Sequence, residues 1–220
     1  MSADKPRIGI IGGTGALGSG LARRFAAAGY PVVIGSRSSE KAAEVAAVIG
    51  HAAEGMSNAA AAAAADIVLV TVPFSSQAEI LSEIKPHVSG KLVVDTTVPL
   101  MPPKVARVQL PPEGSAAMAA LKLLGEGTRV VSAFHNVAAH KLHKHDTIHC
   151  DVLVFGDAAA DREVVVGLAS AVGLRGLHAG PLANSAAAEA LTSILIGINR
   201  SYKVDGAGIR ITGIETGCGS

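Results

Sequence analysis

Apolar residues in this chain fall into short unbroken runs separated by stretches with helical spacing. Ile8-Gly9-Ile10-Ile11, Pro31 to Gly35, Ile67 to Pro73, Lys91 to Asp95 and Arg129 to Phe134 are continuous enough for strands buried on both faces. Between the first two, Leu17, Leu21, Phe25 and Ala28 recur on one face of a helix expected over Leu17 to Ala28, and Gly29 stops it. Further helices are expected over Ser39 to Ile49, Ala78 to Ile84 and Glu113 to Leu124. The run Ala59 to Ala65 is a helix by propensity. A short strand is expected near His51 to Glu54. Pro73 ends the fourth strand, and Phe74-Ser75-Ser76 turns the chain.

Strand and helix therefore alternate, which predicts an α/β fold: a doubly wound (Rossmann) parallel sheet over residues 1–136. Beyond it the pattern changes. A strand is expected over Asp151 to Gly156, a helix over Arg162 to Ala171, and an edge strand over Gly173 to Ala179. Leu191, Ile194, Leu195 and Ile198 then mark a long helix from Asn184 to Tyr202. Residues 137–220 thus form a small C-terminal α+β extension. Met101 to Pro112 holds Pro102, Pro103, Pro111 and Pro112 and reads as an irregular loop over the site.

The first strand runs into Gly12-Gly13-Thr14-Gly15-Ala16-Leu17-Gly18, which contains G-x-G-x-x-G at Gly13, Gly15 and Gly18. Gly13 allows the strand-to-helix turn, Gly15 leaves room for a pyrophosphate, and Gly18 brings the helix close to the strand. The helix start offers free N–H groups and partial positive charge. Ser19 follows Gly18 where a nucleotide-triphosphate loop needs Lys, so that alternative fails. The second strand ends at Ser36-Arg37, with Lys41 one turn further. An acid there would favour NAD; cations and a hydroxyl fit the 2′-phosphate of NADP. Val72, Pro73 and Phe74, at the end of the fourth strand, are candidates to line the nicotinamide-ribose cleft. Thr96 to Pro99 ends the fifth strand, and His135-Asn136 the sixth, on the same edge.

Composition narrows the class. The 220 residues are 49% hydrophobic and 17% charged, which suits a soluble enzyme-like fold. Net charge is +1 and Trp is absent, which argues against a nucleic-acid surface. No segment approaches a membrane span. Met1 to Pro6 leads into the first strand without a signal-peptide core, so a cytoplasmic protein is expected. Cys150 and Cys218 make no metal or redox motif. His140, His143, His145 and His149 crowd one stretch, but no Cys or Glu joins them and Lys141 and Lys144 interleave, so no metal site is assigned. Reducing a carbonyl needs a proton donor; Tyr30 and Tyr202 are the two tyrosines, and neither begins a Tyr-x-x-x-Lys pair.

The runs GGTGALGSGLA, GSRSSEKA, VVSAFHNVAAHKL, HAGPLANSAAAEALTSILIGINR and GAGIRITGI, in that order along nearly the whole chain, resemble the NADPH:coenzyme F420 oxidoreductases. The resemblance implies hydride transfer between the nicotinamide of NADP(H) and an 8-hydroxy-5-deazaflavin, with the two rings stacked. It implies Thr14, Gly15, Ala16 and Leu17 at the pyrophosphate, Ser36, Arg37 and Lys41 at the 2′-phosphate, and Val98 and Ala139 at the nicotinamide. His135 and Thr192 would lie by the deazaflavin. Phe74 stands where a Trp can occur, and Ala190 where a Ser can. The partner is then a small redox cofactor, and the apolar face of the last helix makes a homodimer plausible. The alternatives are a reductase of an imine or pterin-like molecule, and a non-catalytic NADP-sensing module.

Overall fold

The computed structural model describes residues 5–144 and 147–214; His145, Cys218 and the tail from Glu215 lie outside them. Six strands form one parallel sheet: β1 (Ile8–Ile11), β2 (Val32–Ser36), β3 (Glu54–Ser57), β4 (Ile67–Val70), β5 (Leu92–Asp95) and β6 (Arg129–Ser132), in the order β3-β2-β1-β4-β5-β6. The order reverses direction between β1 and β4, the switch point at which doubly wound sheets hold ligands. The expected fold is observed. The helices are α1 (Ala16–Ala27), α2 (Ser39–Ile49), α3 (Asn58–Ala64), α4 (Phe74–Ile84) and α5 (Ala116–Leu124).

Alternate side chains of the strands feed two cores. Ile8, Ile10, Val32, Ile34, Leu69 and Val94 face α1 and α2, burying Leu21 and Phe25. Ile11, Val33, Val68, Val70 and Val93 face α3, α4 and α5, burying Ala61, Ile80 and Ala120. After β6 come α6 (Ala139–Leu142), β7 (Asp151–Val154), α7 (Ala159–Ala171), β8 (Arg175–His178) and α8 (Ser185–Tyr202). β7 and β8 pair in parallel, and a single antiparallel bridge, Ser132 to Phe155, ties this pair to β6. Val152, Val165 and Leu168 join the same core as Phe25, so apolar packing runs on from the large sheet into the small one.

Several boundaries differ from expectation: α7 begins at Ala159 rather than Arg162, β4 ends at Val70 rather than Pro73, and three others have a clear local cause. The third strand lies at Glu54–Ser57, not His51–Glu54: it is a half-exposed edge strand without an apolar run, and pairing with β2 alone defines it. Phe74 does not turn the chain but begins α4, with Pro73 as its N-terminal neighbour, a place proline tolerates. α5 begins at Ala116 rather than Glu113, because Ser115 caps it by accepting the Met118 N–H. Among the described residues no helix is long and apolar enough to cross a membrane.

Candidate functional site

Parallel pairing puts the carboxyl ends of β1, β2, β4, β5 and β6 along one edge. The glycine turn opens there. Its left-handed residue is Gly12 (φ +72°), not Gly13, and the Gly12 N–H donates to Asn58 Oδ1 at 3.3 Å. Gly13 is closed in: its N–H donates to Gly35 O, and a Cβ would meet Ile10 O at 2.7 Å. Gly18 does bring α1 close to the sheet, since a Cβ there would lie 2.5 Å from Thr71 Oγ1. Gly15 is exposed, and a Cβ on it would touch only Gly12 O, at 3.4 Å.

The α1 terminus is built for an anion. Serines cap α2, α3 and α5, through Ser38, Ser57 and Ser115. α1 starts at Gly15 with no side-chain cap and no acid in its first turn, so its leading N–H groups and partial positive charge stay available. A cleft of about 210 Å³ lies against it. Thr14, Gly15, Ser36 and Arg37 line it from one side, Val72 and Pro73 from the other. Sequence reasoning missed Asn58, Thr71 and Ser76, which line the same cleft. Thr71 Oγ1 donates to Ile11 O at 2.9 Å and so ties β4 to the turn.

Ser36 is buried at the end of β2, whereas Arg37 and Lys41 are exposed, and among the described residues neither cation pairs with an acid. The neighbouring Glu40 carboxylate is occupied. Its own backbone N–H and the hydroxyls of Ser38 and Ser39 hold it below the usual carboxylate range. An open glycine, uncapped N–H groups and two unpaired cations suit a phosphorylated dinucleotide. Ala16 and Leu17 form the first turn of α1, and Leu17 also packs on the core.

The second constellation sits past β6. Phe134 is buried with φ +66°, a conformation costly for a bulky residue, and it turns the chain back so that Val137 N–H reaches Phe134 O. That turn folds His135 over its own strand, where Nε2 meets Ser132 Oγ at 2.6 Å. Burial drives the imidazole pKa down to about 3, so His135 is neutral at physiological pH. Thr192 of α8 donates to His135 O at 3.0 Å. Asn136 Nδ2 donates to Thr192 Oγ1 at 3.0 Å and to Ala188 O at 2.9 Å. A hollow of about 150 Å³ opens beside them, closed by Ile196, Asn199 and Ala207. The segment after α8 is held there by Ala207 N–H donating to Asn199 Oδ1 at 2.7 Å. Sequence reasoning named His135 and Thr192 but missed the role of Asn136, which joins them.

Val98 is half-buried in the loop after β5, and Ala139 is half-buried at the start of α6; neither lines the cleft or the hollow. The histidine-rich stretch disperses. His140 Nε2 lies 2.9 Å from Asp205 Oδ1, His143 Nε2 lies 2.9 Å from Ala16 O, and His149 borders a separate pocket. Among the described residues no three His, Cys, Asp or Glu side chains gather as for a metal.

The chain is similar to known proteins over most of its length. The family model "NADP oxidoreductase coenzyme F420-dependent" matches residues 7–99. The F420-dependent NADP reductase of Methanothermobacter thermautotrophicus is 41% identical over 94% of this chain and 95% of its own. The chain belongs to the F420-dependent NADP reductase family. The Methanocaldococcus jannaschii reductase of the same name is 39% identical over 95% of this chain and 99% of its own. A crystal structure from Arthrobacter sp. FB24, provisionally described as an F420-dependent NADP-reductase, superposes with a TM-score of 0.81. It covers 94% of this chain and 99% of its own at 22% identity, which speaks for the fold alone. The likeness to these relatives spans nearly the whole chain and not only the dinucleotide half.

Proposed function

We propose that this member of the family transfers a hydride between NADPH and the deazaflavin coenzyme F420. The observation that carries the reading is the single carboxyl edge that bears both an open, uncapped phosphate turn with an unpaired Arg37 and the separate hollow at His135 and Thr192. When bound, NADPH supplies the hydride at its nicotinamide; the deazaflavin ring accepts it, with a proton from solvent completing the reduction.

The chain's own residues bind and orient. Thr14, Gly15, Ala16 and Leu17 hold the pyrophosphate, and Gly13 shapes the buried turn beneath it. Ser36, Arg37 and Lys41 hold the 2′-phosphate. Val72 and Pro73 line the path to the nicotinamide; Val98 and Ala139 line neither the cleft nor the hollow, and the resemblance to the family is what assigns them to the nicotinamide end. His135 and Thr192 border the deazaflavin. His135, uncharged and already bonded to Ser132, acts as a fixed polar wall rather than as an acid. Exchange between two flat rings needs proximity and orientation above all. Residues 1–136 serve as the NADP-binding unit and 137–220 as the smaller unit that completes the deazaflavin site. Imine or pterin reduction is disfavoured because neither tyrosine reaches the hollow: Tyr30 packs edge-on against Phe25, and Tyr202 is 76% exposed at the end of α8.

The enzyme is further proposed to work in the cytoplasm as a homodimer that buries the exposed Ile194 and Ile198 of α8. Light scattering at about twice the 22.0 kDa chain mass checks this, and a monomer rejects it. The activity is tested by mixing protein, NADPH and oxidised F420 and following the deazaflavin's visible absorption. Bleaching at a rate proportional to enzyme is expected. Tight NADPH binding without bleaching overturns the reading in favour of a sensor or another acceptor.

A further inference from the structure

Of the buried carboxyl groups outside the cleft and the hollow, Asp151 and Asp161 pair with arginines, whereas Asp95 and Glu189 form no ion pair among the described residues. Asp95 ends β5 and is fully buried. Its Oδ1 accepts the Thr97 N–H at 3.1 Å and the Thr97 hydroxyl at 2.6 Å. Its Oδ2 accepts Gln77 Nε2 of α4 at 2.6 Å, and the same amide donates to Ala116 O at 3.1 Å. Ala116 begins α5, and its N–H donates to Glu189 Oε2 of α8 at 2.6 Å, while Ala117 N–H donates to Oε1 at 3.1 Å. Glu189 is 1% exposed. A continuous chain of hydrogen bonds thus runs from the strand-end loop through α4 and α5 to α8.

Ser115 accepts only the Met118 N–H, so the buried N–H groups of Ala116 and Ala117 need another acceptor, and it comes from α8 rather than from α5's own N-terminal segment. This is not the cheapest way to glue α8 down, since a buried carboxyl group, charged or protonated, costs more than an apolar contact of equal volume. What a carboxylate gripping two successive N–H groups adds is a fixed rotation and height for α8. The next residues along that helix use this setting: Ala188 O receives Asn136, and Thr192 Oγ1 bonds His135 O. At the other end, Gln77 follows Ser76, which lines the dinucleotide cleft, and Thr97 precedes Val98.

We propose that Glu189 is a positioning residue for hydride transfer, holding α8 and Thr192 at a fixed station against the strand-end loop Thr96–Pro99 through the Gln77–Asp95 bridge. The proposal rests on the hydride-transfer reading above. A misplacement of ~1 Å between reacting groups costs on the order of a hundredfold in rate, so small rotations of α8 are enough to matter.

The test is single-turnover transfer from NADPH to F420 in the parent, Glu189→Gln and Ala120→Gly. Glu189→Gln keeps the volume but turns an NH2 toward one of the two backbone donors. It should slow transfer at least about tenfold while NADPH affinity stays within twofold. Ala120 is buried on the core face of α5 without touching the carboxyl, and its replacement by glycine should lower Tm yet leave the transfer rate within twofold. Transfer in Glu189→Gln within twofold of the parent overturns the proposal. So does slowing in both variants in proportion to their loss of Tm, which is a merely structural effect. Should Glu189→Gln not fold, Gln77→Met cuts the bridge at its other end and carries the same expectation and the same refutation. A parent that binds NADPH but reduces no F420 sinks the functional reading instead, and the positioning role with it.

Discussion

The glycine turn and the His135 hollow share one sheet edge but are finished in opposite ways. At the turn, the donors of α1 and the cations of Arg37 and Lys41 are left open. At the hollow, the polar groups satisfy one another: His135 with Ser132, Thr192 with His135 O, Asn136 with Thr192 and Ala188. The first end recognises a charged ligand by offering unpaired groups, which costs little because they face water. The second selects by shape, with each polar atom spent on holding the wall in place. Damage to the first should therefore appear as lost affinity, and damage to the second as lost geometry.

The largest breach of this contrast is Gly18→Val. Gly18 belongs to the phosphate end yet acts through packing, against Thr71 Oγ1 and Gly13 Cα at 2.5 and 2.7 Å from a Cβ. Levering α1 off β4 should cost about 1–3 kcal/mol of stability, as overpacking does. NADPH affinity should fall on the order of a hundredfold, because the N–H groups no longer converge. Calorimetry and a fluorescence titration check both; a variant with parental NADPH affinity refutes the role of the close approach.

Arg37→Ala is the cleaner probe of the open end. Arg37 is exposed and contributes nothing to the core, so Tm should hold. NADPH should bind about 10- to 100-fold more weakly, the equivalent of ~1.5–3 kcal/mol for a hydrogen bond to a charged group. NADH, which lacks the 2′-phosphate, should be unaffected. Equal losses for both nucleotides contradict the assignment.

The same contrast explains what was legible in the sequence. The turn is local: Gly12 to Gly18 and Ser36-Arg37 lie in one βαβ unit, and buried parallel strands announce themselves as apolar runs. Gly12 and Gly13 stand side by side, so which of them takes the left-handed conformation is decided by Val72 and Asn58, residues far along the chain. β3 escaped because Glu54-Gly55-Met56-Ser57 has no apolar period; Gly55 is there because a Cβ would meet the Ala42 backbone at 2.2–2.3 Å. His135 and Thr192 were named through family likeness, not through any spacing, since 57 residues separate them. Glu189 went unnoticed because a lone acid in a sequence reads as surface charge. Its surroundings, Ala186 to Ala188 before it and Ala190-Leu191 after it, are the signal that could have placed it inside.

The smallest expected effect concerns pH, and it separates the two kinds of buried group in the supporting framework. Burial pushes Asp95 up to about 6 against the Thr97 and Gln77 hydrogen bonds, and pushes Glu189 up to about 7, with the Asp95 charge adding to it. Both then hold protons in the folded chain that the unfolded chain has released. Their contribution is complete below pH ~4 and is lost as pH rises through about 6 and about 7. His135 has the opposite sign. Its folded value of about 3 lies below the ordinary 6.5, so stability is lost as pH falls below 6.5. From about pH 4 to 6 the two acids outweigh the one histidine, so these three groups favour the folded chain most near pH ~4, and Tm should decline from there to about pH 7, by ~2–4 °C for each kcal/mol involved. Glu189→Gln has no carboxyl to deprotonate and should flatten that decline, while Arg37→Ala should leave it intact. A parent whose Tm rises from about pH 4 to about pH 7 would mean that the carboxylate at the α5 terminus is better solvated, or better paired, than its burial implies.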